Sequence, residues 1–424
     1  MKLINTTDIR EIMEACERTS ISTEQIKPII EEVFKEIENK GDEAVLKYTH
    51  FFDKVDLDEI ELAGSDIEKL ASTTAQDLKE AIKIAAENIK TFHRSQQSNR
   101  EKVETSPGVF CWQESRGIDR VGIYIPGGTA PLFSTVLMLA IPAKIAGCKE
   151  IILCTPPDKK GNINPAIAFA AQITGVDNIY RIGGAQAIAA MTYGTESVPK
   201  VYKIFGPGNQ FVTAAKIKAQ EFGIAIDMPA GPSELMVVAD NSCIPAFVAA
   251  DLLSQAEHGI DSQVICVLNE MELYEPIQEA INEQLAVLPR KDIAEKALEN
   301  SRFIIAESKE QTIEIINDYA PEHLIICTNY NDELTQRIQN AGSVFVGNYT
   351  PESAGDYASG TNHTLPTAGF AKAFSGVNLD AFTKKITFQE ISKSGIQQLG
   401  PTIEKMAEAE LLQAHKNAVT LRLK

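Results

Sequence analysis

A helical pattern of apolar positions dominates the first hundred residues. Apolar side chains recur with the period of an α-helix at positions 26, 29, 30, 33, 34 and 37. Ser22 and Gln25 have the spacing of a capping box before this stripe, and Gly41 is suited to end the helix. A second stripe, at positions 78, 82, 85 and 89, predicts another helix. Both stripes indicate core-facing helices and say nothing about chemistry.

A different pattern begins at residue 121, where short β-rich runs alternate with helical stretches. The predicted strands are 121–125, 151–154, 179–182, 201–205 and 224–227. The predicted helices between them lie near 132–147, 164–173, 185–192 and 210–221. This alternation is typical of a parallel sheet with crossover helices.

A second alternating block follows the first. Its predicted strands are 235–239, 264–268, 303–306, 324–327 and 344–346. Its predicted helices lie near 245–257, 271–287, 309–319 and 331–340. The chain is therefore expected to contain two α/β units.

Two segments near the carboxyl terminus do not fit this alternation. Residues 347–376 are rich in Gly, Ser and Thr, and a loop of this length is usually functional or disordered. Its Asp and His content favours function. Residues 401–424 are helix-forming and partly apolar but have little obvious place to pack in their own chain, so docking on a partner subunit is one interpretation.

These patterns predict an α/β fold with two Rossmann-like parallel-sheet units, N-terminal helices and a C-terminal helical tail. We divide the chain into an N-terminal helical segment, a discontinuous α/β domain, a second α/β domain and the tail. Their predicted bounds are 1–24, 25–120 with 235–378, 121–234, and 379–424, respectively.

The charge of the chain narrows the class of protein. The chain has 424 residues and a formal net charge of −18. So acidic a chain disfavours binding to nucleic acid, which needs a basic face, and to an anionic membrane surface. No apolar stretch is long enough to span a bilayer, and the first five residues lack the apolar core of a signal peptide. We therefore expect a cytoplasmic protein.

The seven cysteines are scattered and include no C-x-x-C pair, which argues against a disulfide framework. Most lie in apolar runs such as 151–154 and are interpreted as small buried side chains. Cys154 invites the idea of a thioester mechanism, which we do not adopt.

Four of the six histidines lie in polar, acid-containing segments of the second half. Gln255 and His258 are three residues apart near a helix end, so they share a face on which they could bind one metal ion. A hydrogen-bonded histidine is the simpler interpretation of this pair alone. Asp356 and His363 lie in the long polar segment, where each is also typical of a turn or a cap.

Glu410 and His415 lie in the tail. Five residues correspond to about 500° of rotation on an ideal helix, so the two side chains would not share a face. Either the helix breaks between them or they approach a site from different sides. Together, these segments offer nitrogen and oxygen ligands but no cysteine, a mixture that suits zinc or another borderline divalent metal.

Glu322 and His323 are adjacent and directly precede the apolar run 324–327. A carboxylate and an imidazole placed in this way could divide proton transfer between them. A surface pair at the start of a strand is the alternative interpretation.

A nucleotide site is harder to find, because no G-x-G-x-x-G follows a predicted strand. Tyr124, Gln186 and Asn209 lie in or beside glycine turns at predicted strand ends. Such turns let a backbone approach a ligand closely, and ligands bind at the carboxyl ends of parallel strands. Tight βα turns would look the same, so these residues indicate only a ligand at the strand ends.

Several long motifs, spread from about residue 20 to the end of the chain, resemble the histidinol dehydrogenase family. They are VGIYIPGGTAPLFST at 121–135, FGPGN at 205–209, DMPAGPSE at 227–234, LSQAEH at 253–258, YAPEH at 319–323 and GDYASGTNHTLP at 355–366. Only this resemblance suggests histidinol as the substrate.

The resemblance implies an NAD-dependent cytoplasmic homodimer of histidine biosynthesis that oxidises L-histidinol through the aldehyde to L-histidine with two NAD molecules. It implies Glu322 and His323 as the acid–base pair. The implied zinc ligands are Gln255, His258, Asp356 and His415. The implied substrate contacts are these four ligands with Ser233, His323, His363 and Glu410. The implied NAD contacts are Tyr124, Gln186 and Asn209, which makes 121–234 the NAD-binding domain.

The resemblance further implies that Glu410 and His415 reach the active site of the partner subunit. In this mechanism His323 takes the hydroxyl proton, and Glu322 activates the water that adds to the aldehyde. Two alternatives remain at this point. One is a zinc hydrolase with Glu322 as base and no nicotinamide, and the other is a non-catalytic protein that binds a metal or a metabolite.

Overall fold

The computed structural model describes residues 1–18, 25–97, 101–127, 131–176, 178–229 and 231–424. The predicted cap residue Ser22 lies outside these ranges. The strands are β1 (Lys2–Ile4), β2 (Lys102–Ser106), β3 (Val109–Gly117), β4 (Arg120–Tyr124), β5 (Glu150–Cys154), β6 (Asn178–Tyr180), β7 (Lys203–Phe205), β8 (Ala225–Ile226), β9 (Glu234–Ala239), β10 (Gln263–Leu268), β11 (Arg302–Ile305), β12 (His323–Cys327), β13 (Ser343–Val346) and β14 (Thr383–Ile391).

The α-helices connect and cover these strands. They are α1 (Ile9–Ala15), α2 (Lys27–Lys40), α3 (Asp42–Tyr48), α4 (Gly64–Ser72), α5 (Gln76–Ser95), α6 (Phe133–Ala146), α7 (Pro165–Thr174), α8 (Gly184–Tyr193), α9 (Gln210–Gln220), α10 (Pro245–Ala256), α11 (Tyr274–Val287), α12 (Lys291–Glu299), α13 (Lys309–Tyr319), α14 (Asn331–Arg337), α15 (Glu352–Tyr357), α16 (Lys393–Ala409) and α17 (Gln413–Leu423). A π-helical turn spans Thr49–Asp53, and 3₁₀ turns span Met271–Leu273, Phe370–Lys372 and Leu379–Phe382.

Two parallel sheets confirm the predicted α/β fold with two Rossmann-like units. Sheet I has the strand order β1-β11-β10-β9-β12-β13, and sheet II has the order β6-β5-β4-β7-β8. Every strand pair in both sheets is parallel. The central strands β9 and β10 are buried along their whole length, as parallel strands covered by helices on both faces must be.

The N-terminal helices pack on sheet II. Side chains of α2 and α3 share a hydrophobic cluster with α8 and α9 on one face of the sheet, and those of α4 and α5 share another with α6 and α7. The predicted domain bounds remain a prediction, but this packing favours grouping residues 27–95 with sheet II. The prediction had grouped them with residues 235–378.

Two parts of the chain differ from the prediction. Residues 2–4 form β1, which pairs with the distant β11 and is too short to show a strand pattern. Sheet III is antiparallel with the order β14-β3-β2, so the predicted helical tail at 379–424 begins with a strand instead. Helix α16 starts only at Lys393 and continues through Pro401. Among the described residues, no helix combines the length and apolar character needed to cross a membrane.

A buried ion pair fixes the loop that follows β7. The ammonium of Lys216 pairs with Asp227, and both side chains are almost fully buried. Lys216 also donates to the carbonyl oxygen of Gly206, and Asp227 accepts from the Gly206 N–H. Gly206 has a φ of +127°, and a Cβ atom there would lie 2.1 Å from the carbonyl oxygen of Tyr124. The loop is therefore held from two sides against the end of β4.

We expect Lys216→Met to lower the free energy of unfolding by about 3–5 kcal/mol, because it leaves the Asp227 carboxylate buried without its cation. Lys218→Met is the matched control on the same helix. Its ion pair with Glu221 is partly exposed, so a loss of about 0–1 kcal/mol is expected there. Urea unfolding of the two variants measures the difference, and equal losses would contradict this account.

Candidate active site

Glu322 and His323 lie at the amino end of β12, inside sheet I. His323 is the first residue of the strand and stands in register with Leu235 of β9. Its Nδ1 atom lies 3.2 Å from the carbonyl oxygen of Glu234. The Glu322 carboxylate accepts a 2.8 Å hydrogen bond from the Glu234 N–H. Both side chains are buried, so the alternative interpretation as a surface pair is wrong.

Three carboxylates surround the His323 imidazole. Glu352 Oε1 lies 3.6 Å and Glu322 Oε2 3.7 Å from Nδ1, and Asp356 Oδ1 lies 3.6 Å from Nε2. Burial opposes a charge on the imidazole, but the carboxylates outweigh burial and raise the pKa of His323. Burial also raises the pKa of Glu322 and of Glu352. One imidazolium carries a single positive charge beside three carboxylates, so the cluster is suited to bind a further cation.

Glu352 and Asp356 both come from the short helix α15. Together with His323 they offer three metal-ligating atoms within 4.8 Å of one another. Both Glu352 oxygens and His323 Nε2 are buried without a hydrogen-bond partner among the described residues. The sequence analysis missed Glu352. Its spacing of four residues from Asp356, which puts the two carboxylates on one helical face, was the available signal.

The end of α10 brings Gln255 and His258 towards α15. Asp251 of α10 accepts a hydrogen bond from the backbone N–H of Glu352, which fastens the two helices together. The Gln255 side chain is fully buried, and neither its oxygen nor its nitrogen has a partner among the described residues. His258 follows the helix and is exposed, and its imidazole interacts electrostatically with Asp356. The structure therefore places the end of α10, with Gln255 and His258, next to α15 and its two carboxylates.

His363 connects this cluster with the other unit. Its Nδ1 lies 2.9 Å from the carbonyl oxygen of Asp356, and its Nε2 lies 3.0 Å from the Thr135 hydroxyl. Burial lowers the pKa of His363, so the neutral ring donates from Nδ1 and accepts at Nε2. Thr135 lies in the first turn of α6, beyond the carboxyl end of β4. One hydrogen bond thus joins the amino ends of sheet I to the carboxyl side of sheet II.

Ser233 directly precedes β9 and is partly exposed beside this cluster. The next residue, Glu234, is held by Arg18, which donates bonds of 2.6 and 2.9 Å to the two carboxylate oxygens. The N–H of Ala368 donates to the same carboxylate. Arg18 thereby steadies the backbone segment that contacts His323. This pair could not be predicted from local patterns, because its members are 216 residues apart.

The structure does not bring Glu410 and His415 to the cluster of their own chain. Glu410 ends α16, Leu411 has a φ of +60°, and α17 begins at Gln413, so the helix breaks between the two residues, which was one of the two alternatives. Both side chains are exposed. Within the described ranges, neither forms a hydrogen bond or an ion pair with a residue of sheet I. Helices α16 and α17 pack mainly against each other.

A cavity of about 710 Å³ opens at the carboxyl edge of sheet II, where the sequence predicted a ligand. Tyr124, Gln186 and Asn209 all line it. The Tyr124 hydroxyl accepts a 3.0 Å hydrogen bond from the Gly184 N–H at the start of α8. The Asn209 side chain caps α9 by accepting from the N–H groups of its first turn. Asn209 therefore has a structural role in addition to its place in the cavity wall.

The burial of Cys154 argues against a thioester mechanism, in agreement with the sequence analysis. Cys154 ends β5 inside sheet II and is fully buried, and burial raises the pKa of its thiol. A reactive cysteine needs the opposite, a lowered pKa and access to the substrate. His93 is also buried and bonds to the Ile89 carbonyl oxygen, which is typical of a structural histidine.

These features define an α/β enzyme with a ligand cavity on one sheet and a buried acid–base and metal-suited cluster on the other. Comparison with known proteins agrees. The model of the histidinol dehydrogenase family matches residues 16–423. A histidinol dehydrogenase of Bacteroides thetaiotaomicron is 58% identical over 423 residues, which covers 100% of this chain and 99% of that protein. A histidinol dehydrogenase of Escherichia coli strain K12 is 51% identical over 409 residues, 96% of this chain and 93% of that protein.

A crystal structure of histidinol dehydrogenase from Elizabethkingia anophelis superimposes with a TM-score of 0.98 at 54% identity, and covers 100% of this chain and 98% of that one. The chain therefore belongs to the histidinol dehydrogenase family, and it is an oxidoreductase. The family membership decides against both the hydrolase and the non-catalytic binding protein.

Proposed function

We propose that this protein oxidises L-histidinol to L-histidine in two steps, through L-histidinaldehyde, as the last reaction of histidine biosynthesis in the cytoplasm. The conversion of an alcohol to a carboxylate removes four electrons, so it consumes two NAD molecules and one water and releases two NADH. The observation that carries this proposal is the buried Glu322–His323 pair beside a metal-suited cluster. Full-length similarity to proteins named histidinol dehydrogenase supports the choice of substrate.

The cluster fits a zinc ion on three grounds. The buried polar atoms of Gln255 have no partner within the described part of the chain, Asp356 and His258 interact electrostatically, and the donors are nitrogen and oxygen atoms. Gln255, His258 and Asp356 would hold the ion, with His415 of a second copy as the fourth ligand. Glu352 lies close enough to His323 and Asp356 to be a further candidate ligand.

The cavity on sheet II fits a dinucleotide. It lies at the carboxyl edge of a parallel sheet, and the amino terminus of helix α9, whose positive dipole end favours phosphate, lies at its wall. Tyr124, Gln186 and Asn209 would contact NAD. When bound, NAD would accept the hydride of each oxidation, and zinc would orient the substrate through its imidazole and amino groups.

The protein side chains would then move the protons. A zinc ion bound at the cluster would lower the pKa of His323 and of Glu322, so that both would be present as bases. His323 would then take the proton of the substrate hydroxyl in the first step, and its position is fixed by the Glu234 carbonyl oxygen. Glu322 deprotonates the water that adds to the aldehyde before the second oxidation. Ser233 and His363, at the edge of the cluster, would contact the substrate together with the four zinc ligands and His323. Because the site is buried, the reactive aldehyde is kept from bulk water.

We propose that the site is completed by the tail of a second copy in a homodimer. Glu410 and His415 are exposed, and so are neighbouring apolar side chains of the tail, with Leu411 at 88% and Met406 at 62% exposure. An apolar surface of this kind favours a protein contact. His258, the expected ligand on the open side of the cluster, is exposed in the single chain, which leaves room for His415 to approach.

The direct test of the reaction is the growth of absorbance at 340 nm when the zinc-loaded protein receives NAD and L-histidinol. We expect steady NADH formation, because the chain carries both the acid–base pair and the nucleotide cavity. L-Histidinol without NAD is the control and should remain unchanged. A zinc-loaded, folded protein that forms no NADH would contradict the proposed function.

A further inference from the structure

We propose that Asp53 selects the nucleotide, by accepting hydroxyl groups of the adenosine ribose of NAD and by excluding the 2′-phosphate of NADP. This inference rests on the proposed use of the sheet II cavity by a nicotinamide dinucleotide. It concerns a residue outside the motifs that the sequence analysis singled out.

Asp53 reaches the cavity from the N-terminal helices. It ends the π-helical turn that follows α3, an irregularity that is often found at functional sites. Its side chain lines the cavity with Tyr124 and Gln186. An ideal Cβ atom on Gly183 would lie 3.3 Å from Asp53 Oδ1, so this carboxylate stands directly against the turn that begins α8.

The Asp53 carboxylate has room to accept further hydrogen bonds from a ligand. Among the described residues, its side-chain hydrogen-bond partner is Gln186, whose Nε2 donates to Oδ2 over a long 3.3 Å. Burial raises the pKa of Asp53 to about 6. Gln186 is itself buried, and its Oε1 atom has no partner among the described residues. Two hydrogen-bond acceptors, the charged Asp53 carboxylate and the neutral Gln186 Oε1, therefore lie in the same corner of the cavity and can accept from hydroxyl or amine groups of a ligand.

The charge of the cavity as a whole also favours NAD over NADP. Among the described residues that line it, there is no Lys, Arg or His. The other carboxylate, Asp158, is already satisfied by the N–H groups of Lys160 and Asn162 in its own turn. A cis-diol supplies two donors to one carboxylate, whereas a 2′-phosphate adds nearly two negative charges and needs a cation. The corner therefore accepts the ribose of NAD and repels that of NADP.

The test is equilibrium binding of NAD and of NADP, measured by calorimetry without histidinol, so that turnover is not needed. For the wild-type protein we expect NAD to bind at least about 100-fold more tightly than NADP. Asp53→Asn keeps an acceptor for Gln186 but removes the charge. We expect this variant to bind NAD about 10-fold more weakly and to bind NADP more tightly. The ratio of the two affinities should then fall about 100-fold.

Asp56→Asn is the matched control, because Asp56 lies three residues away, is exposed and pairs with His50 outside the cavity. It should leave the preference for NAD unchanged. Binding of NAD with an unaltered preference in Asp53→Asn would overturn the inference and leave the proposed function standing. Equal binding of NAD and NADP to the wild-type protein would also overturn the inference about Asp53 without contradicting the proposed function. Binding of neither nucleotide would overturn the assignment of the cavity as well.

Discussion

Glu322→Gln should leave the first oxidation nearly intact and slow the second by about 10²–10⁴-fold. Glutamine has almost the same volume and still accepts the hydrogen bond that Glu322 receives from the Glu234 N–H. It has no carboxylate with which to deprotonate water. The enzyme should therefore deliver one NADH per active site quickly and then stall with the aldehyde bound. A rapid-mixing measurement of NADH per active site, with L-histidinol in excess, resolves the two phases.

The matched control is Glu352→Gln. Its carboxylate is also buried and lies 3.6 Å from His323, but we assign it no role in activating water. We expect this variant to slow both oxidations together, through the charge and position of His323. If Glu322→Gln also lost both steps equally, with its zinc content and fold unchanged, the division of labour between Glu322 and His323 would be refuted.

Mixed dimers should recover activity from two inactive variants. His323→Asn removes the acid–base imidazole from the body of the chain, and His415→Asn removes the expected zinc ligand from the tail. Each variant alone should lose about 100-fold or more of its activity. If the tail completes the site of the partner, a mixed dimer contains one site with both defects and one site with neither. Random assortment makes half of the dimers mixed, so about a quarter of wild-type activity should return.

The control for this experiment is a pair of defects in the body alone. His323→Asn and Asp356→Asn both lie beside the same buried cluster, so no exchange of tails produces an intact site. This pair should remain inactive in mixed dimers. Purified mixed dimers of the first pair that also stayed inactive would show that the tail does not complete the partner's site.

The alternation of strands and helices was readable from the sequence because it depends on local periodicity. Apart from β1, the strands of both parallel sheets begin and end within a few residues of their predicted positions. Sheet III was not predicted. Its strand 383–391 does alternate apolar and polar residues, and the Phe388 ring stacks on Trp112 with the ring centroids 5.4 Å apart. Its strands are largely exposed, so hydrophobic patterning marks them weakly.

The site was less readable, because its contacts are long-range. Neighbouring residues such as Glu322 and His323 could be noticed together, and the motifs pointed to Gln255, His258 and Asp356. No local pattern linked Arg18 to Glu234, or Asp53 to Gln186, since each pair is joined only by folding. The location of the cluster was also unusual, because it lies at the amino ends of the strands in sheet I, whereas the cavity follows the usual rule at the carboxyl ends in sheet II.

The most direct test of the central claim is the amount of NADH formed per L-histidinol by the purified protein, before chelation, after chelation and after zinc is added back. The account predicts two NADH for each histidinol consumed, because an alcohol loses four electrons on the way to a carboxylate. It also predicts that chelation abolishes the reaction and that zinc restores it. One NADH per histidinol with release of the aldehyde, or full activity after complete removal of the metal, would contradict it.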